Sequence, residues 1–142
     1  MALNTLITTI LTITLSGIFL LHGYWFFGGE KYLDAALPND ISKTKKRFSM
    51  PMIRMMNAIS IAPVLVILAV LILSLYDSVE IITAYKRYIY IIASVGFSVR
   101  AILGWLFFHK LTKKELFLQK DKTIYSPLSL GVGLLFFAMY CL

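Results

Sequence analysis

Apolar residues fall in four long runs separated by polar stretches. The first covers roughly Thr5 to Phe27 and meets no charged side chain before Glu30. The second runs from about Met52 to Tyr76, with Arg54 at its edge. The third runs from about Tyr88 to Phe108 and holds one charge, Arg100. The fourth runs from Tyr125 to Leu142. A helix needs about 20 residues to cross a hydrocarbon core of about 30 Å, and even the shortest run reaches about 27 Å. None carries the polar stripe of a helix on the surface of a soluble fold. The pattern predicts an all-α polytopic membrane protein, a single domain over 1–142 with four transmembrane helices in a compact bundle. The predicted spans are about 5–27, 52–76, 82–108 and 125–142, with loops at 28–51 and 109–124.

Local signals refine these elements. Asp77 and Glu80 have the spacing of a capping box, which predicts a tight hairpin and a third helix starting near Ser78. That helix then projects outward, with Tyr85, Tyr88 and Tyr90 as an interfacial aromatic belt. Ser126-Pro127 reads as a helix start, Ser as N-cap and Pro at the first position. Pro63 predicts a kink and a freed carbonyl inside the second span. Gly28-Gly29 ends the first span. The residues from there to Pro38 stay apolar and read as an amphipathic segment at the interface. The first span lacks the basic flank and cleavage site of a signal peptide, so it reads as a retained helix.

Composition agrees with the pattern. The chain is 59% hydrophobic and 15% charged, against about half and a quarter in a soluble domain. Its mean hydropathy is +0.81. This excludes a disordered chain, a disulfide scaffold and a typical soluble enzyme. Lys and Arg number 14 against 7 Asp and Glu, a net charge of +7. Most of that surplus lies in two loops. One holds Lys31, Lys43, Lys45, Lys46, Arg47 and Arg54, the other Lys110, Lys113, Lys114, Lys120 and Lys122. With four spans both loops share one side, and the positive-inside rule makes it the cytoplasm, N-out/C-out. The expected partner is the lipid bilayer, with both loops on anionic head groups. No nucleic-acid reading surface is present, and self-association is left open.

Candidate chemistry centres on Arg100. It lies about 12 Å from the cytoplasmic end of its span, where a cation is costly and needs a partner. Ala93, Gly96 and Gly104 share its helix face, so a neighbouring helix can approach. Its possible counter-charges are Glu30, Asp34 and Asp121, none of them inside a predicted span. His22 and Asn57 lie at similar depths in the first two spans, and Tyr125 and Ser126 open the fourth. A shared polar pocket in the inner half of the bundle follows, and the guanidinium fork suits an anionic lipid or a carboxylate ligand. The alternative is a snorkelling or internally neutralised Arg100 that only locks the helices. Two His and one Cys make no metal site, and the one Cys makes no internal disulfide. No cofactor is expected. Ser126 with His22 is the only nucleophile–base pair for an enzyme, which inclines the reading away from catalysis.

Two stretches resemble the small bacterial membrane proteins grouped as domain of unknown function family 3995. The first is His22, Tyr24, Trp25, Gly28 and Gly29, then Ala35 to Pro38. The second is Arg100, Ala101, Ile102, Gly104, Phe107, Phe108 and Lys110, continuing through Thr112, Phe117, Asp121, Tyr125, Ser126, Pro127 and Leu128. Trp105 stands where that family's pattern suggests an acid, which removes the nearest partner for Arg100. The resemblance implies a four-helix protein of the bacterial cytoplasmic membrane and carries no activity with it. The candidate ligand-binding residues are therefore His22, Tyr24, Trp25, Asn57, Arg100, Tyr125 and Ser126. Gly28, Gly29, Asp34, Pro38, Asp121 and Pro127 frame the loops. Three readings are open: a binder of an anionic lipid or amphiphile, a structural or accessory subunit, and an enzyme acting on a lipid or isoprenoid. An exporter would want an intramembrane carboxylate, and the predicted spans contain none.

Overall fold

A computed structural model describes residues 2–37, 50–74 and 80–142, and their regular structure is all helical. α1 (Ala2–Phe26) and α3 (Met50–Ser74) are apolar around their whole circumference, as helices surrounded by lipid and other helices are. Between them lies a short α2 (Leu33–Ala36). α4 (Glu80–Leu106) has 27 residues. Two short helices follow, α5 (Phe108–Leu111) and α6 (Glu115–Lys120). A π-helical turn (Asp121–Tyr125) then joins α6 to α7 (Ser126–Cys141).

The end of α1 follows from two adjacent glycines that act differently. Gly28 has φ 98°, a left-handed conformation that costs side-chain-bearing residues about 1–2 kcal/mol. Its N–H donates to the Trp25 carbonyl at 3.1 Å, and the Gly29 N–H donates to the Tyr24 carbonyl at 2.9 Å. That pair of bonds is a Schellman motif. At Gly29 the Tyr24 ring lies over the backbone, where a Cβ would displace it.

The C-terminal helix is longer than the hydrophobic pattern predicts. Helical residues run without a break over Glu115–Cys141, so Ser126 is no N-cap and Pro127 no helix start. The segment 115–120 is helical because it has an inner face: Phe117 is buried and packs its ring 5.6 Å from that of Phe108. The loop before α3 is also partly folded. Leu33 of α2 is buried, and α2 packs on α6. The described part of the first loop, up to Leu37, therefore meets the second loop. Asp77 and Ser78 lie outside the described residues, as does Pro38. α3 runs through Pro63 as a helix, although Pro63 offers no N–H to the Ile59 carbonyl.

Among the described residues, three helices are long and apolar enough to cross a membrane: Leu3–Phe26, Tyr85–Leu106 and Glu115–Cys141. α3 contributes a shorter apolar stretch, Ile61–Leu73, among its described residues. Outward-facing Ile13, Leu20 and Ile92 are each about 70% exposed, which is the surface a bilayer covers.

Packing is uneven. α4 packs most extensively on α7, and α1 on α3, whereas α3 meets α4 only lightly. Gly133 explains the tight pair. A Cβ there would sit 2.6 Å from the Ser98 hydroxyl and 3.1 Å from the Ser94 carbonyl, so only a small residue allows this approach. Phe136 is fully buried between the rings of Tyr90 and Phe97, at 6.0 and 6.1 Å. At the far end of the pair, Arg87 donates to the Tyr140 carbonyl at 3.3 Å and lies over its ring.

Candidate binding site

Arg100 finds its counter-charge in Asp121. The guanidinium Nη2 donates to Asp121 Oδ1 at 2.5 Å. The Ser126 hydroxyl donates to Asp121 Oδ2 at 2.9 Å and accepts a longer bond, 3.4 Å, from Arg100 Nη1. The Phe108 ring lies 5.1 Å from the guanidinium carbon, a cation–π distance. Asp121 is 1% exposed and Ser126 0%, whereas 35% of the Arg100 side chain is open.

The π turn makes this cluster possible. Residues five apart sit about 140° apart around an α-helix and cannot share a partner. The wider π turn, with its N–H(i) to C=O(i−5) bonds, brings Asp121 and Ser126 onto one face, towards α4. Pro127 leaves a cost behind it: in π register its missing N–H would have served the Lys122 carbonyl. Trp105 supplies the donor, its Nε1–H reaching that carbonyl at 3.4 Å. On the α4 side Gly104 gives the room. A Cβ there would collide with the Ser126 hydroxyl and press on Asp121 Oδ2 and Arg100 Nη1. Sequence reasoning named Arg100, Asp121 and Ser126 and the small residue Gly104, but missed the role of Trp105. The small-residue spacing pointed to Gly104, and nothing local signalled the indole.

Beside this cluster a cavity of about 540 Å³ opens between α3 and α4. Pro63, Val64, Val66 and Ile67 form one wall. Ile89, Ile92, Ala93, Gly96 and Phe97 form the other, and Arg100 closes one end. It exists because α3 and α4 touch so lightly, and because Ala93 and Gly96 have almost no side chain. Its size falls within the range of small-molecule sites, about 300–1,000 Å³.

The family can now be placed. The chain matches the family described as Protein of unknown function (DUF3995) over residues 15–136. It belongs to that family. The match covers both glycines of the α1 terminus, the groove and the whole Arg100 cluster. No curated protein and no solved structure matches the chain.

The remaining expected site residues of this DUF3995 protein lie elsewhere. His22 Nδ1 is 2.9 Å from the Ile18 carbonyl one turn back, and its ring meets Trp25 edge-on at 5.0 Å. The buried Trp25 donates through Nε1 to the Lys31 carbonyl at 3.0 Å. With Tyr24 over Gly29, these residues tie down the end of α1. None of them lines the groove. Tyr125 is half-buried at the end of the π turn, outside the Arg100 hydrogen bonds. The side chains of Asn57 and Asp34 lie outside the described residues. The groove that Arg100 closes is lined without His22, Tyr24 or Trp25. Among the described residues no cluster of His, Cys, Asp or Glu is grouped to hold a metal.

Proposed function

We propose that this protein is a four-span, N-out/C-out protein of the bacterial cytoplasmic membrane that holds an amphiphile between α3 and α4. The tail lies in the apolar groove and the head meets Arg100. One observation carries this: an apolar cavity of about 540 Å³ ends on a partly open guanidinium. A guanidinium has five N–H donors. Among the described residues its bonds are those to Asp121 and Ser126, which leaves donors for a ligand. Arg100 pairs with Asp121 of the second basic loop, so on the N-out/C-out reading the head faces the cytoplasmic leaflet and the loops rest on anionic head groups.

A second reading has its own support. The ion pair to a buried carboxylate is also what a purely structural lock between α4 and α7 would look like, in an accessory subunit without a ligand. Catalysis gains no comparable support, because His22 contacts its own helix and Trp25 rather than the groove.

Arg100→Gln combined with Asp121→Asn separates the two. Removing both charges avoids leaving either one unpaired. Native mass spectrometry of the purified protein should find a bound amphiphile in the wild type and lose it in the folded double variant. A wild type that carries none, after extraction in a detergent that retains lipids, would leave the structural reading standing.

A further inference from the structure

The groove's shape and charge specify its occupant more closely, on the reading above that it holds an amphiphile. We infer that it takes a single-chain monocarboxylate of the fatty-acid class, carboxylate on Arg100 and chain along Gly96, Ala93 and Ile89.

The chain comes from the α4 wall. Ile89, Ala93, Gly96 and Arg100 recur at three- and four-residue steps, so they form one stripe of the helix. From Arg100 back to Ile89 that stripe is about 16 Å long. The two positions nearest Arg100 along it, Gly96 and Ala93, carry the smallest side chains, and Val64 and Ile67 of α3 close the opposite side. A Cβ added at Gly96 meets nothing within 4 Å, so this slot is open space. A volume of about 540 Å³ accommodates one alkyl chain along this stripe.

The head comes from the charges. Asp121 already balances Arg100. A phosphate monoester head would place a second, larger negative charge beside a buried carboxylate. A carboxylate adds a single charge and pairs with the guanidinium fork. The direction agrees as well: the chain runs from the basic-loop end into the apolar part of the molecule, as an inner-leaflet lipid does.

The test uses the full chain in phosphatidylcholine nanodiscs, with cis-parinarate as the fluorescent probe. Laurate should displace it more strongly than lauryl alcohol or lauryl phosphate. Gly96→Leu plugs the slot and favours the helix. It should weaken laurate binding by about tenfold or more, equivalent to losing about two buried methylenes. Ile92→Trp, on an exposed wall position, should act in the same direction. Gly131→Leu, which also meets open space but on α7, should leave binding unchanged. Laurate binding untouched by both groove variants, or lauryl phosphate binding more tightly than laurate, overturns the inference. If the groove variants bind normally while Arg100→Gln/Asp121→Asn does not, the head site stands and the chain site fails. If none of the three ligands displaces the probe from wild type, the amphiphile reading fails with it.

Discussion

Arg100 is one-third open while its partner Asp121 is almost fully enclosed, and this asymmetry sets what each substitution does. Asp121→Ala removes the enclosed charge and leaves the Ser126 hydroxyl and the guanidinium without their acceptor. A fully buried pair broken this way costs about 3–5 kcal/mol. One-third of the Arg100 side chain is open, so we expect a smaller loss, seen as a lower Tm in detergent. Two glycines of α4 should respond in opposite ways. Gly104→Ala drives a Cβ into the Ser126 hydroxyl and should cost about 1–3 kcal/mol, as overpacking does. Gly96→Ala meets open space and should stabilise the helix by up to about 1 kcal/mol. Thermal melts of both variants check the pair, and equal shifts would refute the close approach at Gly104. The candidate residues of this cluster were legible as types: a lone Arg in an apolar run needs an anion. Which of Glu30, Asp34 and Asp121 serves was not legible, since all three lie near the same end of the chain's apolar runs.

At the scale of elements, the π turn is the device that aims α7's polar residues at α4. Pro127 and Trp105 form a coupled pair within it, one withholding a donor from the Lys122 carbonyl and the other supplying it. Trp105→Phe should therefore destabilise the wild type by about 0.5–1.5 kcal/mol, one hydrogen bond's worth. In a Pro127→Ala background, where a backbone N–H returns, the same substitution should cost less. A double-mutant cycle on Tm reads the coupling, and additive effects would rule it out. Ser126-Pro127 is a good helix-start signal locally, and it misleads because the buried Phe117 draws the preceding segment into the same helix. The Gly28-Gly29 terminus is the opposite case. Its left-handed glycine is a local requirement and was readable without tertiary information. Gly28→Ala should cost about 1–2 kcal/mol through its positive φ, again measured by melting.

At the scale of the whole molecule, α2 of the first loop packs on α6 of the second. The four-span reading makes a direct prediction. The native Cys141 is exposed and should react with an impermeant maleimide from outside the cell. Lys113→Cys in a Cys141→Ser background should react only after permeabilisation. Labelling of both from the same side would contradict the topology. The lipid-facing aliphatic surface and the light α3–α4 contact together make the groove a lateral opening rather than an enclosed chamber.

Helical class, the positions of the apolar runs and the loop that ends α1 were all determined by the sequence. Each rests on local chemistry and on the apolar pattern, and neither needs a neighbour in space. Only the tertiary structure decided that Asp121 answers Arg100, that His22 and Trp25 serve the end of α1 instead, and that the open space lies between α3 and α4. Those outcomes depend on helix rotation. A single π turn moves a side chain from one face to another, and the pattern of apolar residues, nearly uniform around these helices, does not record which face meets which.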